Sequence, residues 1–300
     1  MDNLPAAQRP LLLRVLISPD EPRLRAGWRI GIHFVIMFSI VLVLSVLVVV
    51  TRLYGASYSV ELLVNQLAIF VAINASVLLA RRFLDRRSFV SLGLGLQKSV
   101  ADLLVGIAIA GFVMAAIFEA EWALGWLKVE SFAWEIQPRP EAAVELAIWF
   151  IIFAIVGWQE ELLSRGYWLQ NLADGLNLQW ALFISSALFA LMHTGNPNAS
   201  WVAIVGLFAA GYFLAYGYVL TRQLWLSVGL HIGWNFFEGN VFGFQVSGLD
   251  TFRLIHQTVR GPELWTGGAF GPEAGLIVLP AMAFGAVLIY GYVRYVRSHL

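Results

Sequence analysis

The chain predicts an all-α, polytopic membrane protein of about eight transmembrane helices, with a chemically active core on helices four to seven. Three observations carry that expectation. Of its 300 residues, 59% are hydrophobic and 13% charged, with a mean hydropathy of +0.75, whereas soluble domains carry about 25% charged residues. Apolar runs of about 20 residues, the length at which a helix crosses the hydrocarbon core, recur along the sequence. Lysines and arginines gather in alternate connecting segments, as they do in cytoplasmic loops.

Composition also removes whole classes of function. The 19 basic and 19 acidic residues balance, so no basic excess points to a nucleic-acid partner. There is no cysteine, which excludes disulfides, thiolate metal ligands and a cysteine nucleophile. Any nucleophile is a hydroxyl, a carboxylate or activated water.

Taken in order, residues 1–27 carry Arg9, Arg14, Arg23 and Arg25 among prolines and acids and read as a cytosolic tail with one short interfacial helix over 11–17. The first three transmembrane helices fall within 28–126. The run 30–50 exceeds the apolar region of a signal peptide and reads as a retained anchor. The second helix, 62–80, ends at Arg81-Arg82 and carries Asn65, Gln66 and Asn74, polar groups suited to bonding between helices. The linker 81–100 is strongly basic. The third helix, 103–118, has Glu119, Glu121, Trp122 and Trp126 at its interfacial end.

A polar loop, 127–140, closes on Pro138-Arg139-Pro140, which stops one helix and prepares another. The core of helices four to seven occupies 141–242, with helices beginning near Glu141 and then at about 179–193, 201–220 and 224–242. A glycine-rich loop, 243–272, precedes the eighth helix within 273–300, which ends on Arg294 and Arg297. With both termini inside, fourteen of the 19 lysines and arginines lie on the inner side. The other five, Arg52, Lys128, Arg139, Arg253 and Arg260, lie outside.

Charge inside the fourth helix marks the functional region. Gly157-Trp158-Gln159-Glu160-Glu161-Leu162-Leu163-Ser164-Arg165 places two carboxylates and a guanidinium at the end of an apolar run, and an ionisable residue at that depth is expensive unless it serves a purpose. Glu161 and Arg165 are four apart and suit an intrahelical ion pair. Glu160 points about 100° away and is free for another partner. His193 on helix five, and His231 with Asn235 four residues later on helix seven, supply the remaining acid, base and hydrogen-bond donors. These groups reach one depth only if helix four continues past Arg165 to a turn at Asp174-Gly175, so that Glu160 stands about 18 Å above that turn. The set is a kit for hydrolysis; a proton relay in a transporter or a polar zipper in a silent scaffold uses the same residue types.

At these positions the chain resembles the CPBP family of CAAX-processing and bacteriocin-processing intramembrane proteases, also called Abi or Rce-type. The family's EExxxR, FxxxH and HxxxN patterns are matched by Glu160-Glu161 with Arg165, by Phe189 with His193, and by His231 with Asn235. The resemblance covers about 145–240. It implies peptide-bond hydrolysis, with Glu160 as general base, His193 orienting the water, and His231 with Asn235 donating to the oxyanion. Glu161, Arg165 and Phe189 would support the site. The favoured expectation is catalysis without a cofactor; the alternative is Zn²⁺ held by Glu160, His193 and His231 with water in the open position. The implied partner is a membrane-associated protein or peptide substrate at the lipid bilayer. The implied location is a bacterial inner membrane, with both termini cytoplasmic.

Other polar residues have plainer readings. His33 reads as a packing histidine, His256 and His299 as solvated surface, and Glu145 as a cap on the outer end of helix four. Glu238, three residues after Asn235, is a candidate neighbour of the site. No inverted repeat of the kind found in transporters is visible.

Overall fold

A computed structural model describes residues 10–19, 21–50 and 57–299; Arg9 and Arg52, counted above among the basic flanks, lie outside the described residues. Among those described, six helices are long and apolar enough to cross a membrane: Ala26–Val50, Tyr58–Leu84, Ser99–Ala123, Arg139–Gly175, Trp201–Thr221 and Val278–His299. These are the helices of an integral, multi-pass membrane protein. In chain order the elements are α1 (Leu11–Leu16), α2 (Ala26–Val50), α3 (Tyr58–Leu79, prolonged by a wider turn to Leu84), α4 (Ser99–Ala123), β1 (Leu127–Phe132), α5 (Ala133–Ile136) and α6 (Arg139–Glu161). A π-type segment, Leu162–Trp168, joins α6 to α7 (Leu169–Gly175). Then follow α8 (Leu178–Met192), α9 (Trp201–Thr221), α10 (Trp225–Asn235), β2 (Ile255–Val259), α11 (Glu263–Thr266) and α12 (Val278–Gly291).

Eight such helices were the expectation; six of that length are present among the described residues, and α8 and α10, with 15 and 11 residues, fall short of it. The short length of α10 has a physical reason. Every residue from Leu226 to Asn235 is buried, so this helix faces protein instead of lipid and need not match the bilayer. It lies directly on α4 through small residues. A methyl group at Gly229 would stand 2.1 Å from the Leu103 carbonyl oxygen, and one at Gly106 would stand 2.5 Å from that of Leu226. Such close approach of backbones is how membrane helices gain dispersion without a hydrophobic driving force.

The helix ends sort to two poles. At one, Arg29 and Arg81 bond Asp85, Arg23 and Arg87 bond Asp174, and Asp102 receives Arg297 and Tyr292. At the other, Ser59 donates to Glu145, and Asn196 donates to the Ser247 carbonyl. The helix containing Glu160 runs on past Arg165 to Gly175, as the depth argument required, by way of the π-type segment that includes Gly166.

The all-α expectation needs one correction. β1 and β2 pair antiparallel, Leu127 with Val259 through Phe132 with Ile255, with an irregularity between Val129 and Ser131. Only Leu127 and Val129 of β1 join the main core while Lys128 and Glu130 are exposed, so the apolar face is too short to announce a strand. The segment 243–272 is likewise ordered by β2, α11 and single turns, with Gly271 at φ +107 where a methyl group would meet the Gln245 carbonyl at 2.1 Å.

Candidate active site

The site grows from the last turn of α6. Glu161 is fully buried, and its Oε1 accepts from Arg165 Nη1 at 2.7 Å and from His231 Nδ1 at 2.9 Å. Arg165 donates its other nitrogen to the Gly211 carbonyl at 2.8 Å and lies 4.6 Å above the Phe189 ring, a cation–π arrangement strengthened by exclusion of water. Phe189 also flanks both imidazoles, at 4.9 Å from His193 and 6.0 Å from His231. These three residues therefore form one support: Arg165 neutralises Glu161, Glu161 holds the ring of His231, and Phe189 walls both.

Glu160 projects to the other side. Its Oε2 stands 3.8 Å from His193 Nε2 and 3.9 Å from His231 Nε2, and that oxygen is buried with no hydrogen-bond partner. Asn235, one turn beyond His231, lines the same cavity of about 370 Å³ as Glu160 and both histidines. The gap between the carboxylate and the imidazoles exceeds a direct hydrogen bond but suits one bridging water.

Tautomers follow from the partners. His193 Nδ1 lies 2.8 Å from the Phe189 carbonyl oxygen, which can only accept, and His231 Nδ1 faces the Glu161 carboxylate. Both Nδ1 atoms therefore carry hydrogen, and each Nε2 of a neutral ring presents a lone pair. Two lone pairs and a carboxylate converge on one small volume. A water has two hydrogens for these three acceptors, so the third takes its hydrogen from a further donor, an added proton or the Asn235 amide.

The donor set is wider than that of one tetrahedral zinc. Ligands of one tetrahedral zinc, at about 2.0–2.2 Å from it, lie roughly 3.4 Å apart, closer than Glu160 Oε2 is to either Nε2. Among the described residues no three histidine, aspartate or glutamate side chains converge tightly enough to hold a metal.

Residues 142–237 match the Rce1-like family of type II CAAX prenyl endopeptidases. No curated protein and no solved structure matches the chain. The Rce1-like segment contains Glu160, Glu161, Arg165, Phe189, His193, His231 and Asn235, so the resemblance read from the motifs holds over that stretch. The family is one of membrane proteases.

Several groups around the cavity lie outside the Rce1-like segment and were invisible to motif reasoning. Glu273 lines the cavity, only 4% exposed, and accepts from Trp234 Nε1 at 3.2 Å and from the Ser247 hydroxyl. Burial raises its carboxyl above the ordinary range, an effect opposed by the Ser247 hydroxyl. Ser247 is in turn tied through its carbonyl to Asn196, whose backbone bonds the His193 carbonyl. The only advance signal is an acid directly after the glycine-rich loop 243–272, at the start of the segment assigned to the eighth helix.

The remaining candidates separate from the site. Glu238 is buried beside Trp234 with neither carboxylate oxygen hydrogen-bonded among the described residues, and it is not among the residues that line the cavity. Glu145 accepts from Ser59 and ties α3 to α6. His33 packs against Tyr167 at 4.4 Å and Ser76 at 3.3 Å. His256 lies on β2, and His299 in the final turn.

Proposed function

We propose that this protein is an intramembrane endopeptidase that hydrolyses a peptide bond of a membrane-associated protein or peptide, with Glu160 as general base. The observation that supports this reading most strongly is the partnerless Glu160 Oε2 facing two imidazole nitrogens across a water-sized gap. In the proposed reaction a water between them gives one proton to Glu160 as its oxygen attacks the scissile carbonyl carbon. His193 orients that water. His231 carries the additional proton, with Glu161 against its Nδ1 to stabilise the imidazolium, and donates with the Asn235 amide to the developing oxyanion. Collapse of the intermediate breaks the C–N bond, and the proton held by Glu160 passes to the leaving nitrogen. Base catalysis of this kind contributes about 10²–10⁴-fold, and each oxyanion donor a comparable factor.

The same reading places eight crossings in a bacterial inner membrane, with α8 and α10 as the two short ones and both termini in the cytoplasm on the arginine-rich pole. No step is assigned to a metal. A chelator series should leave the rate unchanged, and zinc-dependent recovery of activity after chelation would overturn that part.

The deciding experiment uses protein reconstituted in proteoliposomes with a farnesylated CAAX-type peptide and a tagged library of membrane-anchored peptides. Cleavage by the wild type, abolished in Glu160→Gln, is the expected result. Cleavage that survives the substitution removes the catalytic assignment, and binding without any cleavage favours a silent scaffold.

A further inference from the structure

On the α3 side of the cavity, next to Glu160, lies an amide pair whose bonding is incomplete. Gln159 Nε2 donates to Gln66 Oε1 at 2.9 Å, and this is the single hydrogen bond between them. Gln159 is 3% exposed, and its Oε1 is buried with no partner. Both residues line the cavity. Exchanging oxygen and nitrogen on both amides leaves the same account: one bond made, one carbonyl oxygen and one NH₂ left over.

Joining α3 to α6 does not explain the pair. The neighbouring residue Trp158 already makes that connection, donating to Asn74 Oδ1 at 3.1 Å, while Asn74 gives its own amide hydrogen to the Phe70 carbonyl at 2.8 Å. There every strong group is used. Two turns away along α3, the glutamines leave the Gln159 oxygen buried with no partner in a cavity also lined by Leu62, Ile69, Phe153 and Val156, and an unmade bond of that kind is costly. A native protein keeps such a group when something else completes it.

A free acceptor beside a free donor is the complement of a peptide group, which offers one N–H and one C=O. We propose that Gln66 and Gln159 form a subsite that hydrogen-bonds one main-chain peptide group of an extended substrate, one or two residues from the scissile bond. The distance is set by position: Gln159 adjoins Glu160, and an extended chain advances about 3.3 Å per residue. The apolar residues on either side receive the flanking side chains. Gln66 lies on α3, outside the Rce1-like segment, so this recognition belongs to this chain's own N-terminal helices. The inference rests on the peptidase reading for its substrate, but the binding test below stands apart from it.

The test walks a single amide-to-ester replacement along the best-cleaved library peptide and measures kcat and KM with wild type, Gln66→Met and Gln159→Met. In the wild type one position should raise KM about five- to tenfold with little change in kcat. In either variant KM should already be raised by that factor, and the same ester should add nothing. Gln66→Asn, polar but shorter, serves if either methionine variant fails to fold, and should behave as they do. Ester effects of equal size in wild type and variants overturn the subsite, as do variants that lower kcat or thermal stability while leaving KM intact. A fluorescent version of each peptide is also titrated onto Glu160→Gln. If no peptide is cleaved by the wild type, the peptidase reading falls, and the amide-to-ester difference in this titration alone decides the subsite. Equal binding, or none, overturns it.

Discussion

Two carboxylates in this protein sit in fully formed polar clusters at different depths and have opposite bonding. Asp85, at the arginine-rich pole, accepts from Arg29 at 3.0 Å, from Arg81 at 2.9 Å and from Asn171 at 3.2 Å, with nothing left over. Glu160, in the cavity, holds an oxygen that no group among the described residues hydrogen-bonds. Both are bounded by cations or imidazoles on neighbouring helices. A saturated carboxylate fastens helices together, whereas an unsaturated one retains basicity for a ligand. Bonding alone does not make the distinction, since Glu238 is also buried with unbonded carboxylate oxygens; Glu160 differs from it in lining the cavity beside two imidazoles.

Exchanging the properties of the two clusters should break the comparison cleanly. The largest effect is expected for Glu160→Gln, which keeps shape and removes the base. Cleavage should fall at least 10²–10⁴-fold while the unfolding midpoint in detergent stays in place. Asp85→Ala should do the reverse, since it strands two buried guanidinium groups. It should cost about 3–5 kcal/mol of stability, read by thermal or denaturant unfolding, with the KM of whatever folded protein remains unchanged. Glu161→Gln lies between, because Glu161 both pairs with Arg165 and holds His231. Activity should drop about 10²-fold, and stability should fall as well, so that a loss of only one of the two would sink the supporting role assigned to it. The smallest effect sharpens the comparison at the opposite pole. Ser59→Ala removes one bond to Glu145 and should cost about 0.6 kcal/mol, the typical value for hydrogen bonds between membrane helices, with no change in cleavage.

The chemical centre was legible in sequence because helical spacing is rigid. Four residues separate Glu161 from Arg165 and His231 from Asn235, and one residue turns Glu160 away from Glu161. The requirement that His193 and Glu160 share a depth forced the continuation of the helix to Gly175. The bond from His231 to Glu161 was not legible, because it depends on the rotation of α10 about its own axis. That rotation is set by Gly229 and Gly233 pressing on α4. Glu273 was hidden for another reason: forty-two residues and a folded loop separate it from His231, and no periodicity spans that distance. The strand pairing was equally silent, since each partner acquires an inner face only once the other is present. Helix-to-helix bonding, the role that sequence suggests for the polar residues of the second helix, describes Asn74 but only half describes Gln66.

The stretch from Leu162 to Trp168 is wound wider than the helix on either side, as though one residue had been inserted into its coil. It lies between Glu160 and Asp174, and so sets the phase between the carboxylate in the cavity and the one that meets Arg23 and Arg87. Winding the same seven residues as a regular α-helix would turn everything downstream by about 100°. Asp174 would swing away from its arginines, or, if those held, Glu160 would rotate out of the cavity. The coil defect thus acts as a phase adjuster, letting one rod address two polar sites whose angular positions a regular helix could not serve together.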